Sequence, residues 1–296
     1  MRTVKSALFS GLSAFAAALI VAALCIVLAD AIRGGWTKLS WEFFTGNPTE
    51  GMTAGGIFPA IWGTTLLTLM MTVVVMPLGV MTAIYLHEYA PRGSRFAGAV
   101  RVAVQNLAGV PSIVFGLFGL GFFIHFVGEN IDRANGSTMR WGQPGLLWAS
   151  LTLAILTLPV VIVATEEALR AVPAELRSAS LALGATQSQT LWRVVLPGAT
   201  PGILTGAILA VSRGAGEVAP ILLTGAAYFL PDLPRSLTSQ FMHLGYHTYV
   251  LATQSPDVEA TRPLLYATVL TLLMLTFTLN FVAVILRSRT RRRANA

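Results

Sequence analysis

The chain has 296 residues, of which 54% are hydrophobic and only 11% are charged, and its mean hydropathy is +0.69. These values exclude an ordinary soluble domain and indicate a membrane protein with several spans. The net charge of +7 does not indicate nucleic-acid binding, because the basic residues lie between and beyond the apolar segments.

Six apolar segments are long enough to cross a bilayer, which takes roughly 17 to 25 helical residues. We expect residues 1–56 to form an N-terminal transmembrane helix with an external loop, and residues 57–296 to form the main domain with a polar loop at about 172–200. The six predicted spans are Ala7–Ala29, Ile57–Leu86, Ala99–Val127, Leu146–Thr165, Ile203–Leu223 and Leu264–Leu286.

The first segment has some features of a signal peptide. Arg2 and Lys5 precede it, and Ala29-Asp30-Ala31 fits a small-residue cleavage site. Its apolar stretch exceeds the roughly 7 to 15 residues of a signal-peptide core, so we interpret it as a retained span.

The distribution of basic residues predicts the orientation of the chain. With the N-terminus in the cytoplasm, 13 Lys and Arg residues lie inside and six outside, while Arg213 lies in the membrane. We therefore expect both termini in the cytoplasm. The basic C-terminal RSRTRRR run is explained better as an anchor than as a site for anionic lipid.

Proline and glycine interrupt several of the predicted spans. Pro77 and Pro111 remove backbone hydrogen bonds and permit kinks, with a mobile gate as the more specific interpretation. Gly202 and Gly206, and four glycines between residues 109 and 121, favour close helix packing.

The last external loop, Ala226–Pro263, is long enough to be a docking surface or a lid. His243 and His247 have the i, i+4 spacing of a helical metal pair. No third ligand lies nearby in the sequence, so we expect no metal site.

Enzyme motifs are missing from the sequence. It contains no GxxxxGK[ST], HExxH or GxSxG pattern, and no aspartate lies in a predicted span. We therefore expect a transport subunit without its own ATPase site and without a cofactor, and an intramembrane enzyme ranks last among the alternatives.

The polar loop Ser178–Pro197 carries the most specific pattern in the chain. Gly184 is placed to stop one helix, and Gln187–Val195 is expected to form a second helix closed by Leu196-Pro197. Two short helices exposed on the cytoplasmic face would form a knob for a partner's groove. The alternative is an ordinary connecting loop.

This loop reads SASLALGATQSQTLWRVVLP and resembles the EAA loop of ABC importer permeases, EAA-x3-G-x9-I-x-LP. We call it the EAA-type loop. Ser178 replaces the glutamate, which removes any contact that the glutamate would make. The resemblance implies ATPase coupling through the matching positions Ser178, Ala179, Gly184, Val194, Leu196 and Pro197.

Two further stretches, AGVPSIVFGLFGL and SRGAGEVAPILLTG, look like the phosphate-specific permeases, and APILL looks more like the PstA subunit than PstC. The resemblance covers about Ile57 to Arg287. It implies an all-α, six-helix, type I ABC importer permease (MetI-like) with cytoplasmic coupling helices in the bacterial inner membrane. The implied partners are a PstC-like second permease, a PstB-like cytoplasmic ATPase dimer, a PstS-like periplasmic phosphate-binding protein and membrane lipid.

Arg213 and Glu217 are the two charges of the fifth predicted span. They stand one helical turn apart and share a face, and an isolated charge at the bilayer centre costs roughly 2.5–3.5 kcal/mol. One interpretation is an ion pair that locks helix packing. The other, strengthened by the resemblance, is that Arg213 meets phosphate while Glu217 limits affinity, and that Gly214 and Gly216 let backbone approach the anion.

Two other functions stay open. A permease for another oxyanion, such as sulfate or molybdate, would share the EAA-type loop and differ in the charged segment. An ATP-independent secondary transporter or channel belongs to a different class and predicts inverted repeats, for which the sequence gives no convincing sign.

Overall fold

The computed structural model describes residues 2–49, 54–91, 93–136, 139–255 and 257–294, and these residues are mostly helical. The predicted number of six membrane-length helices is confirmed within them, and the chain is an all-α membrane protein. The six spans are Ser10–Lys38, Phe58–Tyr89, Ser112–Ala134, Leu146–Arg170, Gln187–Gly216 and Val258–Arg289.

Short helices and turns connect and extend these spans. Three π-helical segments, Tyr85–Tyr89, Gly119–Gly128 and Leu191–Val195, continue the α-helices that end at Ile84, Phe118 and Thr190. Pro48–Thr49 pairs antiparallel with Ala54–Gly55. In chain order the elements are α1 Arg2–Gly35, α2 Trp41–Thr45, β1 Pro48–Thr49, β2 Ala54–Gly55, α3 Phe58–Ile84, α4 Arg95–Ala108, α5 Ser112–Phe118, α6 Glu129–Ala134, α7 Leu146–Arg170, α8 Ala174–Ala182, α9 Gln187–Thr190, α10 Leu196–Gly216, α11 Ala219–Thr224, α12 Leu244–Thr253 and α13 Val258–Ala294.

The chain forms two compact units. The first contains Met1–Phe58 and Thr248–Thr271, and the second contains Pro59–His247 and Leu272–Ala296. In the first unit, Gly35 lets α1 approach α13 closely, since a Cβ there would lie 2.6 Å from the Ala267 nitrogen. The Tyr266 hydroxyl donates a 2.9 Å hydrogen bond to Asp30.

Helix α7 lies at the centre of the second unit, where its Leu153 and Val161 are fully buried with Met71 of α3. Close packing of α10 on α7 depends on two glycines. A Cβ at Gly202 or Gly206 would lie 2.5 or 2.9 Å from an alanine methyl of α7. The predicted role of this glycine pair in helix packing is therefore confirmed.

The prediction of one continuous span over Ala99–Val127 is wrong. The helix ends at Ala108 and begins again at Ser112. A proline ring clashes with the carbonyl four residues earlier and disfavours helix at the residue before it, so Pro111 interrupts the span. Pro77, by contrast, lies inside α3 without ending it.

The predicted limits of the fifth span, Ile203–Leu223, are also wrong at both ends. Helix α10 stops at Gly216 because the ring of Pro220 would clash with that carbonyl in a continuous helix. At the other end, Leu196 and Pro197 do not close a short helix. The Leu196 N–H bonds five residues back within the π turn, and the chain runs directly into α10.

Candidate functional site

The interruption between α10 and α11 positions Arg213 and Glu217, the two charges of the predicted fifth span. Glu217 follows the last residue of α10 and has an extended backbone, with φ −75° and ψ 134°. Arg213 lies in the last turn of α10, where the helix dipole favours a cation. The hydropathy of this stretch hides the break, but Pro220 signals it.

Arg213 and Glu217 form a loose ion pair. The Arg213 Nε lies 3.4 Å from Glu217 Oε1, and the two side chains are 41% and 19% exposed. A strong charge-assisted hydrogen bond would be about 2.7–2.9 Å long. The predicted pairing is confirmed, although Glu217 lies outside the helix, and the long contact leaves guanidinium donors for another acceptor.

The two glycines between these charges have different surroundings. A Cβ at Gly214 would lie 2.5 Å from Met71 Sδ, so Gly214 is packed against α3. A Cβ at Gly216 would meet nothing within 4 Å, and Gly216 is exposed. Open backbone beside Arg213 is therefore offered at Gly216, and the role of both glycines in a pathway stays a prediction.

Several elements hold the break in place. The Ser212 hydroxyl donates a 2.7 Å hydrogen bond to Asn280 of α13. A Cβ at Gly116 of α5 would lie 3.0 Å from the Pro220 Cα, and one at Gly245 would lie 2.8 Å from Val218 Cγ2. Sequence reasoning missed Asn280, although a lone amide in an apolar helix is a signal for an interhelical bond.

His243 and His247 lie in the segment that packs on this break. Both are buried, and burial lowers the pKa of His243 to about 3 and that of His247 to about 4. Both imidazoles are therefore neutral at pH 7. The His243 Nδ1 accepts from the Gly245 N–H at 3.1 Å. Within the described ranges, no third His, Cys, Asp or Glu completes a metal site with them.

The EAA-type loop begins on α8 and turns at Gly184. Gly184 has φ +85°, and its N–H and that of Ala185 donate to the carbonyls of Leu181 and Ser180 at 3.0 and 3.2 Å. This is the hydrogen-bond pattern of a glycine helix stop, so the predicted stop is confirmed. Leu183 beside it is 90% exposed.

The second half of the EAA-type loop opens with a capping box. Thr186 Oγ1 accepts from the Gln189 N–H, and Gln189 Oε1 accepts from the Thr186 N–H. The hydroxyls of Ser180 and Thr190 lie 2.9 Å apart and join α8 to α9. Four of the predicted coupling residues are exposed: Ser178, Ala179, Gly184 and Pro197. The other two, Val194 and Leu196, are half-buried.

Comparison with known proteins decides the family. Residues 75–292 match the family described as binding-protein-dependent transport system inner membrane component. The chain belongs to this family. The permease is 31% identical over 272 residues to a probable ABC transporter permease protein, YqgI, of Bacillus subtilis, with 88% of each chain covered.

Another relative is the phosphate transport system permease protein PstA 1 of Mycobacterium tuberculosis, which is 39% identical over 191 residues. The match covers 64% of this permease and 57% of that relative, so the permease spans little more than half of its length. The resemblance seen in the sequence is thus confirmed.

A solved structure shows the same fold. A chain of the MetNI methionine ABC transporter, solved in inward-facing conformations, superposes on the permease with a TM-score of 0.59 at 19% identity. The match covers 79% of the permease and 95% of that chain. The predicted MetI-like fold of a type I ABC importer permease is confirmed.

Proposed function

We propose that this permease is the PstA-type membrane subunit of an ATP-driven phosphate importer. The observation that carries the proposal is the loosely paired, half-exposed Arg213 at the helix break that ends the fifth span. The relative named as a phosphate transport permease supports phosphate as the substrate.

The chemistry of the break suits transient binding of an anion. Arg213 is permanently charged and presents a planar fork of donors that matches phosphate oxygens. Glu217 and the negative end of the α10 dipole both oppose long residence of an anion. A transport site needs this combination, since phosphate must bind and then leave.

The energy for transport would come from partners. The family description names dependence on a binding protein, and we expect a PstS-like phosphate-binding protein, a PstC-like second permease and a PstB-like ATPase dimer. The ATPase would bind the EAA-type loop on the cytoplasmic side of the inner membrane, and both termini of the permease would lie on that side. The permease itself would have no ATPase site.

Phosphate specificity is tested by measuring uptake in cells whose chromosomal copy of the permease gene is deleted and whose plasmid supplies the gene. We expect labelled phosphate uptake that excess unlabelled phosphate abolishes and that excess sulfate or molybdate leaves unchanged. Inhibition by sulfate or molybdate, with poor competition by phosphate, would instead assign the permease to another oxyanion.

A further inference from the structure

The C-terminal end of α3 continues into a π turn, Tyr85–Tyr89, to which side chains of other helices bond. The Ala90 N–H donates to Tyr85 O at 2.8 Å, five residues back, instead of to Leu86 O. The Leu86 carbonyl accepts from Arg101 Nη2 at 2.6 Å. The wider turn thus makes a backbone acceptor available to a side chain of α4.

The Glu88 side chain in this turn receives α8. Arg177 Nη1 lies 2.5 Å from Glu88 Oε1, while Arg177 Nη2 donates to Leu169 O of α7 at 2.7 Å. The Glu88 and Arg177 side chains are only 12% and 23% exposed. His87 Nε2 lies 3.8 Å from the same carboxylate oxygen. One guanidinium therefore joins α8 to the ends of α3 and α7.

The same residue also receives α9. The Gln187 side-chain amide donates to the Glu88 carbonyl at 3.0 Å. Both helices that flank the Gly184 turn are thereby attached to Glu88, α8 through its side chain and α9 through its backbone. Displacement of the turn must either carry the end of α3 with it or break these bonds.

Helix α3 leads from Glu88 to the candidate site. Met71 of α3 is fully buried and packs against Gly214, the neighbour of Arg213. Seventeen residues separate Met71 from Glu88, which is about 25 Å of helix at roughly 1.5 Å per residue. One continuous helical segment, α3 with its π turn, therefore contacts the EAA-type loop at one end and packs beside Arg213 at Met71.

We propose that Glu88 is a positioning residue that ties the EAA-type loop to α3, so that movement of the loop reaches the break beside Arg213. This rests on the proposed function, in which an ATPase moves the loop. Without the Glu88 to Arg177 ion pair, only the Gln187 hydrogen bond would still attach the loop to Glu88, and ATP hydrolysis would drive transport less efficiently.

The test compares phosphate uptake with ATP hydrolysis in proteoliposomes that contain the complete complex. Glu88→Gln removes the charge but keeps the side-chain shape and the backbone carbonyl that holds Gln187. We expect uptake per ATP hydrolysed to fall about tenfold, which corresponds to about 1.4 kcal/mol of coupling. The matched control is Glu167→Gln, because Glu167 is exposed and forms no ion pair within the described part of the chain; its ratio should stay at the wild-type value.

Charge exchange separates positioning from simple stabilisation. Glu88→Arg and Arg177→Glu should each lower uptake per ATP, and the double variant should restore at least half of the wild-type ratio. An unchanged ratio in Glu88→Gln, or a double variant no better than the single ones, would overturn the proposal. So would a loss of assembled complex with the ratio intact, because the residue would then act only in stability.

Failure of the proposed function has a different signature. A wild-type complex that hydrolyses ATP without moving phosphate would refute phosphate as the substrate. The attachment of the EAA-type loop to α3 through Glu88 would then be tested by amide hydrogen exchange in α8. Glu88→Gln should then accelerate exchange in α8 about tenfold, by the same 1.4 kcal/mol conversion. Unchanged exchange would overturn the tie.

Discussion

The two ends of α10 show that a proline does not decide by itself where a helix ends. At the first end, the helix passes through Leu196 and Pro197 after a π turn. At the second end, Pro220 stops it at Gly216. Pro197 follows a π turn whose last hydrogen bond runs five residues back, and Pro201 also lies inside α10 without ending it. Pro220 lies beyond the end of α10, and in a continuous helix its ring would clash with the Gly216 carbonyl.

Under the proposed function, the two ends would have different roles. The continuous end would transmit movement of the EAA-type loop along the helix axis, while the interrupted end exposes Gly216 and places Arg213 in the last helical turn. Each end carries one arginine, Arg193 or Arg213, and comparing the two arginines gives the largest expected effect.

Arg213→Gln should reduce phosphate uptake about tenfold to a hundredfold, because a hydrogen bond to a charged group contributes about 1.5–3 kcal/mol and Arg213 is 41% exposed. The amount of assembled complex should not change. Arg193→Gln is the control at the continuous end, where the side chain is exposed, and it should change uptake less than threefold. Uptake and immunoblots of purified complex measure both quantities, and normal uptake by Arg213→Gln would leave the pair with a structural role alone.

The segment that packs on the interrupted end should make stability depend on pH. His243 and His247 have folded pKa values of about 3 and 4, below the ordinary value of 6.5. The unfolded chain therefore binds protons first as pH falls below about 6.5, and the folded state loses stability until the folded pKa values are reached. Between about pH 7.5 and 5.5, the two histidines together should lower the free energy of unfolding by about 3 kcal/mol.

Thermal unfolding in detergent at these two pH values measures this effect. His247→Leu should remove about half of the difference in stability between them. His125→Gln is the control, because His125 is exposed and pairs with Glu129 at 2.7 Å. An equal pH dependence in wild type and His247→Leu would contradict the assignment to the buried ring.

Pro220→Ala should let α10 continue toward α11 and draw Glu217 into the helix. We expect amide hydrogen exchange at residues 217–219 to slow, and phosphate uptake to fall about tenfold, because the open backbone beside Arg213 would be lost. Faster exchange across this segment, or uptake equal to that of the wild type, would show that the break does not depend on the proline.

Pro197→Ala at the continuous end should have the smallest effect. Pro197 is exposed and the helix already passes through it, so stability should change by less than about 0.5 kcal/mol.

Gly184→Trp in the same loop is the contrasting variant. Its φ of +85° strains any residue with a Cβ, and it should uncouple ATP hydrolysis from uptake. Normal uptake with the ATPase bound would contradict the coupling role.

Much of the fold and part of the candidate site could be predicted from the sequence, because local chemistry determines them. The number of spans follows from apolar length, and the turn at Gly184 follows from the backbone freedom of glycine. The break at Pro220 was also encoded locally, but a continuous apolar run concealed it. Glu88 and Arg177 are separated by 89 residues, and nothing in either neighbourhood indicates the pairing. Such long-range contacts depend on how helices pack, which spacing along one sequence does not determine.

The proposed function requires a partner ATPase that drives phosphate through this permease. It is tested most directly by purifying the tagged permease from native membranes, identifying its partners and measuring phosphate accumulation in proteoliposomes with and without ATP. We predict that an ATPase copurifies and that phosphate accumulates against its gradient only when ATP is hydrolysed. A purified assembly without an ATPase, or phosphate flux that is equal in both conditions, would refute ATP-driven transport by this permease.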